Sequence, residues 1–439
     1  MSLDARHLRP SQPPSLADLN SANVWAGITA FIFMVFGALT VQLSVVRLFG
    51  ISEAQMSSWI TITWLTAAVV SLPLALYYRQ PLAIGWTIPG LVYLGSLAGE
   101  FTFAEIAFAN AVAGLAMLAI GFAGLGSRIV SLIPLPILMA MFAASILEYE
   151  TKLVNTTVNE AEIAVPMVVA YLVGRLLNHR QVPPVGLAVG AGLIATTILG
   201  RFGHLTIEST LPTLQSPSFS FSIEALLTVS IPMVVLVLGL GNVQGLGFMI
   251  SEGYKPPLNV VTGLVGVMTT VNAVFGGHPA SMARTVTAMV SGRDAGALDK
   301  RYWASFVAFV PALGVALATG LVVAVIGSLP AAFVATMAGL AILSPFQDAM
   351  TRAFSGDLVF GCVIAFVVTL STFTLAGIPP AFWALIAGIG ASALLERHQL
   401  MSHWKRGLAP GHSPLDHVVE SMEIRRWEGL DAGPEPAGG

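Results

Sequence analysis

Two short stretches decide how this chain is read: Gly85-Trp86-Thr87-Ile88-Pro89-Gly90 and Phe275-Gly276-Gly277-His278-Pro279-Ala280. Each is glycine-bearing, broken by proline and set inside apolar sequence. Pro89 and Pro279 lie 190 residues apart, and apolar runs begin near residues 24 and 224. The residue before a proline is pushed to extended geometry, and proline itself is favoured in the first turn of a helix. Ile88 and His278 are therefore expected to end extended stretches, with half-helices starting at Pro89 and Pro279. Non-helical backbone at membrane depth survives only where it lines a buried or wet cavity. Two half-helix N-termini meeting near the midplane would bring free N–H groups and positive dipole ends to one place, an anion site. The alternative is a pair of proline kinks used only for packing.

Composition sets the environment in which those breaks sit. Only 10% of the 439 residues are charged, 20 basic and 23 acidic, while 55% are apolar. The mean hydropathy is +0.81. A soluble domain carries roughly 25% charged residues. The one cysteine, Cys362, excludes a disulfide scaffold, and a net charge of −3 without a basic block gives nucleic acid nothing to hold. The remaining class is an all-α polytopic membrane protein, provided the apolar residues fall into spans of about 20. The run from Val24 to Val46 does so without a charge, and the 23 residues before it have no apolar core of their own, so no cleavable signal peptide is expected. Trp25, Trp59, Tyr77, Tyr78 and Trp303 fall near span edges, as interfacial anchors or by chance.

Apolar segments recur near 24–46, 56–78, 82–97, 104–122, 128–147, 163–178 and 184–200, then near 224–250, 258–275, 279–291, 302–327, 330–347, 358–376 and 380–395. A polar, proline-containing linker at 204–223 separates the sets, giving 14 transmembrane segments as seven plus seven. With the N-terminus inside, cytoplasmic regions hold sixteen basic residues, and outside loops hold only Arg47, Lys152 and Arg201. That asymmetry follows the positive-inside rule and puts both termini in the cytoplasm, at the plasma (inner) membrane. Two equivalent halves with an odd number of spans must lie in opposite orientations, the inverted repeat of a transporter, with the third and tenth segments each an extended stretch plus a half-helix.

Arg284 is the one basic residue left inside a segment. Bringing it to the bilayer centre costs on the order of 3 kcal/mol or more. On a helix beginning at Pro279, Ala280, Ser281 and Arg284 share a face, and the guanidinium can clamp a carboxylate in bidentate fashion. The alternative is a structural partnership with a nearby acidic residue or carbonyls. His278, the only histidine within a predicted span, can titrate near neutrality, hydrogen-bond a ligand as a neutral ring, or brace the break. Gln42, Asn242, Gln244 and Asn272 are polar at depth; interhelical hydrogen bonding is the preferred reading for Gln42 and Asn272. Trp86, Thr87 and Phe275 suit a ring-bearing ligand. Glu100, Glu105, Glu148, Glu162, Asp348 and Glu396 all fall near expected span ends, so no buried carboxylate marks a proton path. There is no phosphate-binding loop and no metal cluster, so no cofactor, no metal and no enzyme activity are expected, and Cys362 reads as a small buried hydrophobe. The tail from residue 399 is polar, with charges of both signs, and reads as a cytoplasmic, partly disordered extension.

Three stretches together resemble a known family. Arg79-Gln80-Pro81 leading to Trp86-Thr87-Ile88-Pro89-Gly90 resembles the "RxP…W[S/T]xPG" signature of the benzoate:proton symporters. Phe275-Gly276-Gly277-His278 resembles their "FGGH" element, and Asn242 with Gly245 resembles "QNxPG", Gly241 and Gln244 standing for the usual glutamine and proline. Order and spacing agree over about residues 20–398. The resemblance implies a fold similar to nucleobase and sulfate transporters. It also implies a core domain at 24–126 and 224–328, and a gate domain at 127–203 and 329–398, flanked by cytoplasmic segments 1–23 and 399–439. It further implies proton-coupled uptake of benzoate or a related aromatic acid, with a nucleobase or inorganic-anion carrier, a channel or a sensor as alternatives. The expected partners are a small organic anion, protons, the bilayer and a second copy of the chain. After the FGGH element this chain departs from the usual "AVNLAAITAAI": Ser281 replaces the asparagine and Arg284 has no usual counterpart. The substrate-binding set expected is Trp86, Thr87, Pro89, Gly90, Asn242, Gln244, Phe275, Gly276, Gly277, His278, Pro279, Ala280, Ser281 and Arg284, with His278 the proton-coupling candidate.

Overall fold

Helix starts in this chain are written into short polar cues. Asn20 with Asn23, Ser52 with Gln55 and Thr102 with Glu105 form capping boxes that open α1 (Ser21–Phe33), α3 (Glu53–Tyr78) and α5 (Phe103–Ala123). Each satisfies N–H groups that the first turn leaves without partners. The computed structural model describes residues 13–125, 134–177, 184–204, 212–373, 375 and 380–408. Arg6, Arg9, Arg128, Arg180, Arg425 and Arg426, the start of the fifth expected segment and the tail beyond 408 lie outside those residues.

Between α1 and α3, a π turn at Met34–Ala38 leads into α2 (Leu39–Leu48). The chain continues through β1 (Ile84–Trp86), α4 (Ile88–Ser96), α5, α6 (Leu135–Asn159), α7 (Ala161–Leu177) and α8 (Pro184–Leu199). The second set is α9 (Ile223–Ile250), itself interrupted by π turns at Leu226–Ser230 and Leu236–Asn242, then α10 (Leu258–Val274), β2 (Ala280–Met282) and α11 (Arg284–Ser291). It closes with α12 (Tyr302–Leu317), α13 (Thr319–Gly327), α14 (Ala331–Phe354), α15 (Val359–Thr369), α16 (Pro380–Leu395) and α17 (Arg397–Leu408). The tail thus opens as a helix rather than as irregular chain.

Among the described residues four helices (α3, α5, α9 and α14) are individually long and apolar enough to cross a membrane, five if the pair bent by 80° at the α12–α13 junction counts as one span. The other apolar helices are shorter or broken. Hydrophobic side chains face outward as well as inward: Val169, Leu172 and Leu176 on α7 and Ile194 and Ile198 on α8 are exposed. An apolar exterior of this kind suits lipid rather than water.

The most extensive packing joins α5 to α10, α3 to α12 and α6 to α14, with α7 on α8 and α15 on α16. Small residues allow the α5–α10 crossing: a Cβ on Gly114 would lie 2.6 Å from the Thr270 backbone nitrogen, and one on Gly121 2.6 Å from that of Gly263. Close backbone approach is what holds helices together where no hydrophobic drive separates lipid from protein. The readings of Gln42 and Asn272 as interhelical hydrogen-bonding residues agree with the structure. Gln42 bridges Thr63 and Trp64, and Asn272 accepts from Thr66 at 2.7 Å.

Candidate functional site

The two breaks meet as a two-stranded antiparallel ladder, Ile84 opposite Met282, Gly85 opposite Ser281 and Trp86 opposite Ala280. Two three-residue strands cannot satisfy their own outer edges, so side chains from neighbouring helices do it. Ser71 Oγ accepts from Ile84 N–H at 2.9 Å and donates to its carbonyl at 2.8 Å. Thr269 Oγ1 accepts from Ala280 N–H at 3.1 Å, and Asn242 Oδ1 from Met282 N–H at 2.9 Å. Gly241 and Gly245 let α9 lie against β2, since a Cβ at either would come within 2.8 Å of Ser281 or 2.7 Å of Met282 side-chain carbon.

The first break follows the sequence reading with its helix one residue earlier: extended through Trp86, capped by the Thr87 hydroxyl on Gly90 N–H at 3.1 Å, then helical from Ile88 with Pro89 in the first turn. The second does not begin its helix at Pro279. That proline precedes β2, and α11 starts at Arg284 with Ala283 as a cap that offers no side chain. Arg284 is therefore structurally equivalent to Ile88, not to a residue a turn further in, and Ala280 and Ser281 are strand residues. The pairing of Gly85 with Ser281 and of Thr87 N–H with the Pro279 carbonyl, 3.2 Å, outcompetes an earlier helix start.

Beside the ladder lies a cavity of ≈ 80 Å³. Of the expected residues, Trp86, Thr87, Pro89, Gln244, Ser281 and Arg284 line it, with Phe33 and Met34 before and in the π turn, Met139 and Phe142 of α6 and Asp348 of α14. Gly90, Asn242, Phe275, Gly276, Gly277, His278, Pro279 and Ala280 are not among the lining residues. The Phe275 carbonyl accepts from Ser58, and Gly276, at φ +79°, turns the chain beside Phe103 at the end of α10. His278 is fully buried; its Nδ1 accepts from Trp59 Nε1 at 2.7 Å, and its Nε2 has no partner among the described residues.

Arg284 donates through one guanidinium nitrogen to Gln244 Oε1 at 2.8 Å and to Asp348 Oδ2 at 2.7 Å. Asp348 Oδ1 accepts from Arg352 Nε at 3.0 Å, one turn along the same helix. The amide nitrogen of Gln244 is buried without a partner among the described residues, a donor left over at the cavity wall. The sequence reading puts Asp348 at a span end; α14 instead continues to Phe354 and carries it to the cavity. Its i,i+4 spacing to Arg352 within a largely apolar run is the signal that points to it.

A second cavity, of ≈ 430 Å³, is lined by Arg47, Gly95, Glu148, Tyr149, Lys152 and Ala338. Helices α6 and α14 wall both cavities, Met139 and Phe142 at the first and Tyr149 and Lys152 at the second. At 1.5 Å rise per residue, the ten residues from Ala338 to Asp348 span roughly 15 Å.

The chain is 27% identical over 341 residues to the inner membrane protein YdcO of Escherichia coli K12, covering 77% of this chain and 87% of that one. It is 24% identical over 373 residues to the benzoate membrane transport protein of Acinetobacter baylyi, covering 84% and 94%. Its fold resembles the transmembrane domain of a cyanobacterial bicarbonate transporter, BicA (TM-score 0.55, 17% identity, 86% of this chain and 99% of that one). It also resembles the murine anion transporter Slc26a9 in its inward-facing state (TM-score 0.56, 16% identity, 88% and 70%). The model of the family described as benzoate membrane transport protein matches residues 17–394, and the chain belongs to that family of membrane transporters.

Proposed function

We propose that this protein is a secondary active transporter that moves benzoate or a related aromatic carboxylate together with protons by alternating access. The observation that carries the reading is the cavity walled by both breaks, in which Arg284 and the first turn of α11 offer positive charge to an anion while Trp86 and Phe142 offer ring faces. The name of the Acinetobacter baylyi relative supports benzoate as the first substrate to try.

In this reading the elements of 24–126 and 224–328 form a core that carries the site, and those of 127–203 and 329–398 form a gate. Helix packing supports an inverted repeat of seven plus seven: α3 on α12 corresponds to α10 on α5, and α7 on α8 to α15 on α16. Cavities at two levels of the same helix pair, α6 and α14, suit a site exposed alternately to either side. Both termini face the cytoplasm of a cell with the protein in its inner membrane, and the working unit is a homodimer.

The test is uptake of labelled benzoate and a panel of anions, bicarbonate included, into proteoliposomes with and without a pH gradient. Benzoate uptake that rises with an inward proton gradient supports the reading. Uptake indifferent to collapse of the gradient overturns proton coupling, and preference for bicarbonate over every aromatic acid overturns the substrate class.

A further inference from the structure

The cation at the cavity already has a carboxylate bound to it, and that carboxylate belongs to the opposite wall. Arg284 is the first residue of α11, which packs on α1 and α9; Asp348 sits on α14, which packs chiefly on α6. Their 2.7 Å contact crosses the cavity that both side chains line. An arginine in the first turn of a helix faces the positive end of the dipole, and an unpaired cation at membrane depth is costly, so Arg284 requires a counter-ion. Asp348 has a second cation at hand: its other oxygen accepts from Arg352 at 3.0 Å. Among the described residues, the charged groups facing Asp348 are thus Arg284 on one side and Arg352 on the other.

We infer that the Arg284–Asp348 pair is a latch across the cavity which the carboxylate of the substrate opens by substitution. The incoming anion takes the place of Asp348 on Arg284; Asp348 remains paired with Arg352, and the α14 wall is no longer tied to α11. Arg284 has one anionic partner before and after the exchange, so neither state strands a charge and no proton is consumed in the swap. The unpaired Gln244 amide, next to Arg284, supplies a donor for the second oxygen of the incoming carboxylate. The inference rests on the reading that this cavity takes an organic carboxylate, and it assigns to Asp348 a competitor's role.

Competition predicts effects of opposite sign from two neighbouring residues, which loss of a structural ion pair does not. Titration calorimetry with benzoate on the purified full chain is the primary measurement. Asp348→Asn, which removes the competitor, binds benzoate about 10-fold more tightly than the native chain, equivalent to about 1.4 kcal/mol. Arg352→Gln, which leaves Asp348 no partner but Arg284, binds it several-fold more weakly. Asp348→Glu, which keeps the latch, stays near native. Arg284→Gln binds poorly, and adding Asp348→Asn to it restores nothing. A second readout is maleimide labelling of Thr285→Cys in a Cys362→Ala background: benzoate accelerates it where Asp348 is present, and Asp348→Asn gives the fast rate without benzoate. Unchanged or weaker binding by Asp348→Asn, with Arg284→Gln still defective, overturns the latch and leaves the carboxylate site standing. Benzoate binding that is the same in Arg284→Gln as in the native chain overturns the site reading, and the latch with it.

Discussion

The two breaks share a ladder and differ in the helix starts that leave it. After β1, Thr87 caps α4 with its hydroxyl and Pro89 fills the first turn, so that helix start is complete in itself. After β2, Ala283 caps nothing and Arg284 stands where Ile88 stands in the other half, a cation against a positive dipole end. The first break is self-sufficient and neutral; the second lacks a side-chain cap and is charged, and its guanidinium is met from other helices by Gln244 and Asp348. The two breaks thus share a strand-to-helix geometry, and in the proposed reading Arg284, where they differ, supplies the chemistry of the site.

The sharpest way to break the comparison is to neutralise the charged half. Arg284→Ala is expected to weaken anion binding about 100-fold, within the 2–5 kcal/mol typical of a truncated charge pair, and to abolish saturable uptake. Normal binding and flux in that variant would reduce Arg284 to a structural residue. Next in size are the edges of the ladder. Asn242→Leu leaves Met282 N–H without its acceptor, and Ser71→Ala does the same to Ile84. Each should cost about 1–3 kcal/mol and lower the thermal midpoint in detergent, by similar amounts if the halves are equivalent as scaffolds. Thr87→Val removes a cap that the second half lacks, at about 1 kcal/mol, whereas Ala283→Ser should gain stability if the absence of a cap is what makes that start incomplete.

The smallest expected effect concerns His278. Its ring is fully buried, braced by Trp59 and apart from the cavity lining. His278→Gln, which keeps an acceptor for the indole N–H, should retain the dependence of benzoate uptake on the pH gradient. Loss of that dependence with binding intact would return the ring to the proton path.

Much of the scaffold is legible in the sequence because membrane depth leaves few options. Apolar runs of span length and two proline-broken stretches leave few physical interpretations at low dielectric. The roles of Gln42 and Asn272 are legible for the same reason, since a buried amide must find partners. Legibility fails where local and tertiary preferences compete. Proline before a helix is a local rule, yet Pro279 sits before a strand because Ala280–Met282 finds ladder partners in β1. The glycines of the Phe275–His278 element read locally as binding residues, whereas Gly276 is at a left-handed turn that ends α10.

By itself, then, the sequence determined the solvent of this protein, the two breaks and the singular position of Arg284, because hydropathy, proline stereochemistry and the scarcity of charge act over short distances. Only the tertiary structure decided what Arg284 faces. Asp348 lies 64 residues away on another helix, and its arrival at 2.7 Å depends on how α11 and α14 lie across the cavity, which no local propensity encodes.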